Sequence, residues 1–328
     1  MDLKERYVAN PQRYDNSEHM YRRCGRGGLL LPKISFGFWK NFGYADSYER
    51  SRSIASYAFD RGIVHFDLAN NYGPPYGAGE ETFGRLMDDI FRPYRDELFI
   101  STKAGYDMWP GPYGNWGSRK YLMASLDQSL RRTRLDYADL FYSHRYDPET
   151  PLEETLQALV DVVRQGKALY VGVSRWPLEA LKTAERYLRE RDVPLLVYQG
   201  RLNMLDRAPV EDGVLEFCRE KGIGFISFSP LAQGLLTDRY LNGVPSDSRM
   251  ARASSLRPSA LTPELLAKLR ELNSRAAARG ESLAEAALRW VLDQPGVTSA
   301  LVGVSSAEQL ATNLKAIEPK SRESESLV

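Results

Sequence analysis

The chain has 328 residues, of which 44 are lysine or arginine and 43 are aspartate or glutamate, so its formal net charge is +1. This balance gives no electrostatic reason to expect binding to nucleic acid or to an anionic membrane surface, and no apolar run is long enough to span a bilayer. The only cysteines, Cys24 and Cys218, are far apart in the sequence, so we expect no disulfide framework and a reducing, cytoplasmic location.

The chain begins with a polar stretch and then alternates between two kinds of pattern. Residues 1–20 predict a loosely attached polar leader, too polar for a signal peptide, and residues 21–32 predict a hairpin around a glycine-rich turn. β-rich apolar runs then predict strands at 34–39, 63–69, 98–104, 138–144, 168–174, 195–200, 224–229 and 299–304. Helical spacing predicts helices at 48–61, 78–91, 118–133 (with Ser118 as N-cap), 152–166, 177–190, 208–221, 262–280, 282–293 and 306–317.

Eight strands that alternate with helices predict a parallel sheet. Eight such units favour closure into a (β/α)8 TIM barrel, and we expect residues 21–328 to form this single domain. An open, doubly wound sheet is the alternative. It is disfavoured because no glycine-rich dinucleotide fingerprint follows the first predicted strand.

Polar side chains stand at the ends of four consecutive predicted strands. They are Asp67, Lys103, His144 and Ser174, and Tyr72 follows the first of them in the next loop. In a closed barrel the C-terminal strand ends meet at one mouth, so we expect these residues to converge there.

A tyrosine beside a lysine and an aspartate can form a site for the reduction of a carbonyl group, provided that a cofactor supplies the hydride. The ammonium is expected to lower the pKa of Tyr72, Asp67 to hold Lys103, and Tyr72 to exchange a proton with the carbonyl oxygen. His144 can orient that oxygen, and hydride must come from a nicotinamide or a flavin. The residues also have structural readings: a buried ion pair, a satisfied polar histidine and a tyrosine that packs a loop. His65 is predicted to be a core residue, and no metal site is predicted.

Two predicted connections are much longer than the others. Residues 105–117 are rich in aromatic residues, glycine and proline, and predict a loop that covers the substrate; residues 231–261 predict a cofactor clamp. Both could instead be surface insertions without a function.

With these motifs the sequence resembles the aldo-keto reductase family over nearly its whole length. The resemblance implies that Asp67, Tyr72, Lys103 and His144 form the family's catalytic tetrad, and that substrate contacts come from Trp39, Tyr72, Trp109 and His144. It also implies a set of cofactor-binding residues, namely Trp39, Asp67, Ser174, Arg175, Gln199, Phe228, Ser229, Leu231, Gln233, Gly234, Arg239, Arg249, Gly303, Ser305, Gln309 and Asn313.

The arginines of the second long connection favour NADPH over NADH. Arg239, Arg249 and the nearby Arg252 offer bidentate partners for a phosphate monoester such as the 2′-phosphate. Solvated surface pairing is the alternative interpretation of these arginines.

The runs GVSRW and FYSHRYDPETPLEET resemble the branch of the family that contains potassium-channel β subunits, and the runs FDLANNYGPP and SPLAQGLL resemble bacterial L-glyceraldehyde 3-phosphate reductases. This implies NADPH-dependent reduction of small aldehydes of the glyceraldehyde 3-phosphate or methylglyoxal type. The alternatives are a slow, NADPH-binding redox sensor that acts as a partner subunit, or a general detoxifying reductase. The resemblance also implies a homo-oligomer, a tetramer or an octamer. Arg119 and Lys120, at a helix start, are candidates for binding a substrate phosphate.

Overall fold

The computed structural model describes residues 7–245, 250 and 256–319. Its core is a ring of eight parallel strands, preceded by a two-stranded hairpin. The strands are β1 (Tyr21–Arg23), β2 (Leu30–Pro32), β3 (Ile34–Gly37), β4 (His65–Asp67), β5 (Phe99–Ala104), β6 (Ala138–Ser143), β7 (Ala168–Ser174), β8 (Leu195–Arg201), β9 (Gly224–Phe228) and β10 (Val297–Val302). The α-helices are α1 (Ser17–Met20), α2 (Tyr48–Asp60), α3 (Ala78–Leu86), α4 (Arg119–Thr133), α5 (Leu152–Arg164), α6 (Leu178–Arg189), α7 (Ala208–Glu211), α8 (Val214–Lys221), α9 (Pro263–Ala277), α10 (Leu283–Leu292) and α11 (Ala307–Leu314).

The ring confirms the predicted TIM barrel. The strands pair in the order β10, β3, β4, β5, β6, β7, β8, β9, and β9 pairs again with β10, so the sheet closes. Every residue of β5, β6 and β10 is buried, because one face of each strand fills the barrel and the other packs against the surrounding helices. The open-sheet alternative is therefore wrong.

Serine side chains cap the starts of two of the long helices. The hydroxyl of Ser118 accepts a hydrogen bond from the main chain of Tyr121, which confirms it as the N-cap of α4. Ser282 and Glu285 form a capping box at the start of α10. The first cap fixes where α4 begins, and thus where the loop 105–117 ends.

Several predicted elements differ from the structure in detail. The predicted helix 208–221 is two helices, since Gly213 adopts a left-handed φ of 81° between them. The predicted helix 78–91 ends its α-helical part at Leu86 and continues as a π-helical turn, Met87–Phe91. The predicted strand 63–69 is shorter in the structure, His65–Asp67. The predicted strand 299–304 begins and ends two residues earlier, at Val297–Val302.

The hairpin closes the barrel end opposite the strand C-termini. Its residues Cys24 and Leu31 pack with side chains from the first halves of several barrel strands, including Phe99 and Leu196. Cys24 and Cys218 are both buried free thiols. The hairpin thus leaves the C-terminal end of the barrel as the face that carries the long loops.

The described part of the polar leader is attached more firmly than we predicted. The Tyr7 hydroxyl and the Asn10 main-chain N–H both donate to Asp60 of α2. Arg13 donates to Glu97 through two nitrogens. Within the described residues, no helix combines the length and the apolar character needed to cross a bilayer.

Candidate active site

The barrel brings the four predicted catalytic residues together at its C-terminal mouth. Asp67 ends β4, Lys103 lies near the end of β5, and His144 directly follows β6. Tyr72 lies in the loop after β4, where its ring is 5.9 Å from that of His144, centre to centre. The convergence expected from the strand ends is therefore present.

Lys103 is the hub of this group. Its ammonium donates to Asp67 Oδ2 at 2.5 Å, to the main-chain oxygen of Leu68 at 2.7 Å and to the Tyr72 hydroxyl at 3.2 Å. The side chains of Lys103 and Asp67 have no exposed area. A buried charge pair is tolerated when its hydrogen-bonding groups are satisfied in this way, so the ammonium is held in a single position.

The pKa of Tyr72 moves in the direction opposite to the one we predicted. Removal of the phenolate from water raises this pKa well above its ordinary value, and the negative charge of Asp67 adds to the rise. Burial likewise lowers the pKa of Lys103, against the opposing effect of Asp67. Since the Tyr72 oxygen accepts from Lys103, its own proton is free to be donated elsewhere. The Tyr72 side chain is thus a protonated phenol at neutral pH.

His144 is held as a neutral imidazole. Burial lowers its pKa well below the ordinary value, with further contributions from the positive charges of Lys103, Arg175 and Arg145. Its ring meets that of Tyr106 edge-on, with 4.7 Å between centres, and its Nδ1 is buried without a hydrogen-bond partner among the described residues. A neutral imidazole can donate one N–H to a carbonyl oxygen.

Strands β7 and β8 add two of the predicted cofactor residues to the same mouth. Ser174 and Gln199 pair across the sheet, and both are buried. The Gln199 amide donates to Asp67 Oδ1 at 3.1 Å, which links it to the catalytic group. Arg175 follows with a left-handed φ of 58° and donates its main-chain N–H to the Gln199 carbonyl oxygen.

The segment after β9, residues 228–234, is a tight turn that we call the cradle. Phe228 ends the strand, and positive φ angles follow at Ser229 (52°), Ala232 (47°), Gln233 (60°) and Gly234 (100°). The turn is held by main-chain hydrogen bonds, in which the Ala232 N–H donates to Ser229 and the Gly234 N–H donates to the predicted Leu231. The sequence resemblance predicted this segment as the binding site for the cofactor's diphosphate.

The predicted adenosine-end residues lie beyond β10. Gly303 follows the strand, and the main-chain N–H and hydroxyl of Ser305 both donate to Gln309 Oε1. Asn313 is buried in α11. Arg239 lies in a short turn that is capped by Thr237, whereas Arg249 and Arg252 fall outside the described residues.

The loop 105–117 is attached at both ends and open in the middle. The Tyr121 hydroxyl donates to the Tyr106 carbonyl oxygen, and the Gly117 N–H donates to Asp147 at 2.9 Å. Trp109 packs against Tyr121, with 5.1 Å between ring centres. A concavity of about 560 Å³ is lined by Tyr76, Asp107, Met108, Trp109, Pro110, Gly111, Pro112, Asn115 and Trp116.

Trp39, the other predicted aromatic contact, follows β3 with 39% of its surface exposed. The Lys40 ammonium lies 4.8 Å from its ring centre. Trp39 is therefore partly exposed, with Lys40 over its ring, just beyond the strand β3.

The structure does not support Arg119 as a phosphate ligand. Its guanidinium is paired with Asp161, and its main-chain N–H donates to Glu154 at 2.9 Å. A phosphate there would meet two carboxylates. The neighbouring Lys120 lies over the ring of Tyr113 at 5.2 Å.

Two residues near the centre were missed. The hydroxyl of Ser101 donates to Asp67 Oδ1 at 2.7 Å, and Tyr106 packs against His144. Ser101 could have been found, because it is two residues from Lys103 on β5 and so shares its inward face. Tyr106 could not, since its position depends on the course of an irregular loop.

A second concavity, of about 510 Å³, lies beneath the hairpin. Arg22 of its lining donates to the carbonyl oxygens of Leu292 and Val297, and Arg26 donates to that of Glu220. These arginines satisfy main-chain carbonyls at or near helix ends, and we assign no chemistry to this face.

Comparison with known proteins agrees with the geometry. The profile of the Aldo/keto reductase family matches residues 33–326. An L-glyceraldehyde 3-phosphate reductase of Escherichia coli (strain K12) is 54% identical over 315 residues, which cover 95% of this chain and 90% of that protein. A probable voltage-gated potassium channel subunit beta of Arabidopsis thaliana is 35% identical over 305 residues, which cover 91% of each. The chain therefore belongs to the aldo/keto reductase family and is an oxidoreductase that works with a nicotinamide cofactor, NAD(P)H.

Proposed function

We propose that the protein reduces small aldehydes, of the glyceraldehyde 3-phosphate and methylglyoxal type, to alcohols with NADPH, and that Tyr72 is the proton donor. The observation that carries this proposal is the contact of the buried Lys103 ammonium with both Asp67 and the Tyr72 hydroxyl. This arrangement holds a protonated phenol next to a cation that can stabilise the phenolate left behind.

The chain's own residues do three things in this reaction. His144, as a neutral donor, orients the carbonyl oxygen; Tyr72 gives that oxygen a proton; and Lys103 stabilises the tyrosinate that results. Asp67 keeps Lys103 charged and in place. When bound, the nicotinamide supplies the hydride that no side chain can provide.

The preference for NADPH rests on basic residues of the second long connection. Arg239 belongs to the described part of that connection, and Arg249 lies in the part that is not described. Guanidinium groups bind a phosphate monoester through two parallel hydrogen bonds. NADPH carries such a group and NADH does not.

The preference for a phosphorylated aldehyde is supported by the charges around His144. Both Arg145 and Arg175 lie close enough to help lower the pKa of that imidazole. Arg145 is fixed between two rings, 4.3 Å from that of Tyr106 and 3.5 Å from that of Trp116. Arg175 is exposed and donates to the Tyr106 hydroxyl. The 54%-identical relative is named for a phosphorylated aldehyde.

Tyr72→Phe tests the proposal. NADPH oxidation with glyceraldehyde 3-phosphate should proceed over many turnovers in the parent protein and fall by about 10²–10⁴-fold in Tyr72→Phe, the usual contribution of general acid catalysis. Tyr187→Phe is the matched control, because this phenol lies between α6 and α5, where its hydroxyl donates to Gln157. Equal activity of Tyr72→Phe and the control would remove Tyr72 from the mechanism.

A redox-sensing partner subunit is the second candidate, supported by the similarity to potassium-channel β subunits. Such a protein would bind NADPH tightly and oxidise it once before stalling. Pre-steady-state kinetics separates the two: a single stoichiometric burst supports the sensor, and continued turnover supports the metabolic reductase. The assembled tetrad, with His144 in place, favours the reductase.

The proposal includes a cytoplasmic location and assembly into a homo-oligomer, a tetramer or an octamer, on the strength of the family resemblance. Light scattering on the purified protein measures the mass of the assembly directly.

A further inference from the structure

A line of buried hydrogen bonds crosses the barrel interior and ends on the catalytic carboxylate. Ser299 Oγ lies 2.6 Å from Ser35 Oγ, Ser35 Oγ lies 2.8 Å from His65 Nδ1, and His65 Nε2 lies 2.9 Å from Ser101 Oγ. Ser101 then donates to Asp67 Oδ1 at 2.7 Å. All five residues have 0% exposure, and they come from four neighbouring strands: β10, β3, β4 and β5.

The direction of every bond in the line follows from its last member. An ionised carboxylate only accepts, and Asp67 is paired with an ammonium, so the single proton of Ser101 points to Asp67. Ser101 must then accept from His65, which places the imidazole proton on Nε2. Nδ1 is left as an acceptor for Ser35, so the hydroxyl of Ser299 donates to Ser35 at 2.6 Å in preference to the carbonyl oxygen of Lys33, which lies farther away at 3.3 Å. All the donors therefore point toward Asp67.

Aligned hydrogen bonds polarise one another, so the line favours negative charge on Asp67 more than Ser101 could alone. Only a neutral imidazole fits, because a protonated one would donate from both nitrogens and reverse the bond to Ser35. Burial, opposed by the negative charge of Asp67 and aided by the positive charge of Lys103, lowers the pKa of His65 to about 4. The phenols of Tyr72 and Tyr142 also face Asp67.

We propose that His65 is a positioning residue for the reduction: as the Nε2–H tautomer it holds Ser101 in the orientation that donates to Asp67 and keeps the Asp67 carboxylate aimed at Lys103. This inference rests on the proposed function, in which the ammonium of Lys103 assists proton donation by Tyr72. It gives a function to a histidine that the sequence pattern assigned to the core.

The tautomer can be measured without substrate or cofactor. The chain has three histidines, so ¹⁵N-histidine labelling yields three imidazole patterns, and the variants His19→Gln and His144→Asn identify that of His65. We expect a neutral ring with its proton on Nε2 from pH 8 to about pH 5.5. A ring protonated on Nδ1, or charged at neutral pH, would overturn the proposal whether or not the protein reduces aldehydes.

The separate effects on kcat and KM test the hold of Asp67 on Lys103. Loss of the donor to the carboxylate leaves the Asp67 side chain less firmly aimed at Lys103, so Ser101→Ala and His65→Leu should each lower kcat about tenfold, with little change in KM for glyceraldehyde 3-phosphate. His65→Gln should restore most of the parent kcat, because a primary amide both donates and accepts.

Two results would contradict the role. One is an unchanged kcat in Ser101→Ala, the smallest change in the line. The other is an equal loss of kcat in His65→Leu and His65→Gln, which would show that only the shape of the side chain matters. Circular dichroism and thermal unfolding verify that each variant is folded.

Discussion

Arg175 follows strand β7 at the barrel mouth and is exposed. It donates to Tyr106, and its charge acts on His144. A charge-assisted hydrogen bond contributes about 1.5–3 kcal/mol. Arg175→Gln should therefore raise KM for glyceraldehyde 3-phosphate about tenfold or more, with little change for unphosphorylated glyceraldehyde.

The control for this prediction is Arg119→Gln, because Asp161 and Glu154 already engage that residue. The preference for the phosphorylated substrate should be the same in this variant as in the parent. If Arg175→Gln weakened the binding of both substrates equally and also weakened the binding of NADPH, Arg175 would belong to the cofactor site, as the family resemblance implied.

At the same scale, the sequence predicted which residues meet but not how they are charged. The positions of Asp67, Lys103 and His144 follow from strand ends, which periodicity locates well. The pKa of Tyr72 depends on how much water the surrounding loops exclude and on how near Asp67 lies. Those quantities arise only when the loops are folded over the barrel.

Among the elements, the cradle after β9 depends on a glycine in a left-handed conformation. Gly234 has a φ of 100° and, in the same connection, Gly243 has a φ of 114°. Both sites have room for a methyl group: at Gly234 the nearest atom, from Tyr240, is 3.5 Å away, and at Gly243 none lies within 4 Å. Alanine is strained at both, by about 1–2 kcal/mol.

This pair separates backbone strain from cofactor binding. Gly234→Ala and Gly243→Ala should lower the free energy of unfolding by similar amounts, but only Gly234→Ala should raise the Kd for NADPH, by about tenfold. Fluorescence titration measures the Kd and urea unfolding measures the stability. Equal Kd values in the two variants would argue against a diphosphate cradle at this segment.

Element boundaries show where sequence patterns lose their power. The alternation of buried strands and amphipathic helices predicted the barrel, because each of these sequence patterns is regular and recurs along the chain. The break at Gly213 was not predicted, since an isolated glycine is compatible with a helix. The left-handed φ of 81° at Gly213 arises in the folded protein, where the chain turns next to Leu178.

For the whole molecule, two buried neutral histidines make stability depend on pH. His65 has a pKa of about 4, and that of His144 is also lowered, by burial first. In the unfolded chain a histidine titrates near ~6.5. Below that pH the histidines bind protons in the unfolded chain but not in the folded barrel. Their contribution to the free energy of unfolding is therefore complete above about pH 6.5 and is lost toward pH 4.

Urea unfolding at pH 7.5, 6 and 5 should show this loss, with a slope approaching about 1.4 kcal/mol per pH unit for each histidine. His144→Asn should reduce the slope by the contribution of one histidine. His19→Gln serves as the control, because that ring is on the surface next to Glu18 and should leave the slope as it is. A stability that does not change between pH 7.5 and 5 would contradict the neutral assignment.

The attachment of loop 105–117 at its two ends has a consequence for laboratory evolution. Tyr121 and Asp147 fix the ends, and residues 110–113 between them are exposed. A library confined to that turn can vary length and chemistry while the buried strands that position Lys103 keep their sequence. If this loop covers the substrate, as its sequence predicts, substrate range can be redesigned there at little risk to folding, whereas the same number of changes spread over the strands would yield mostly unfolded proteins.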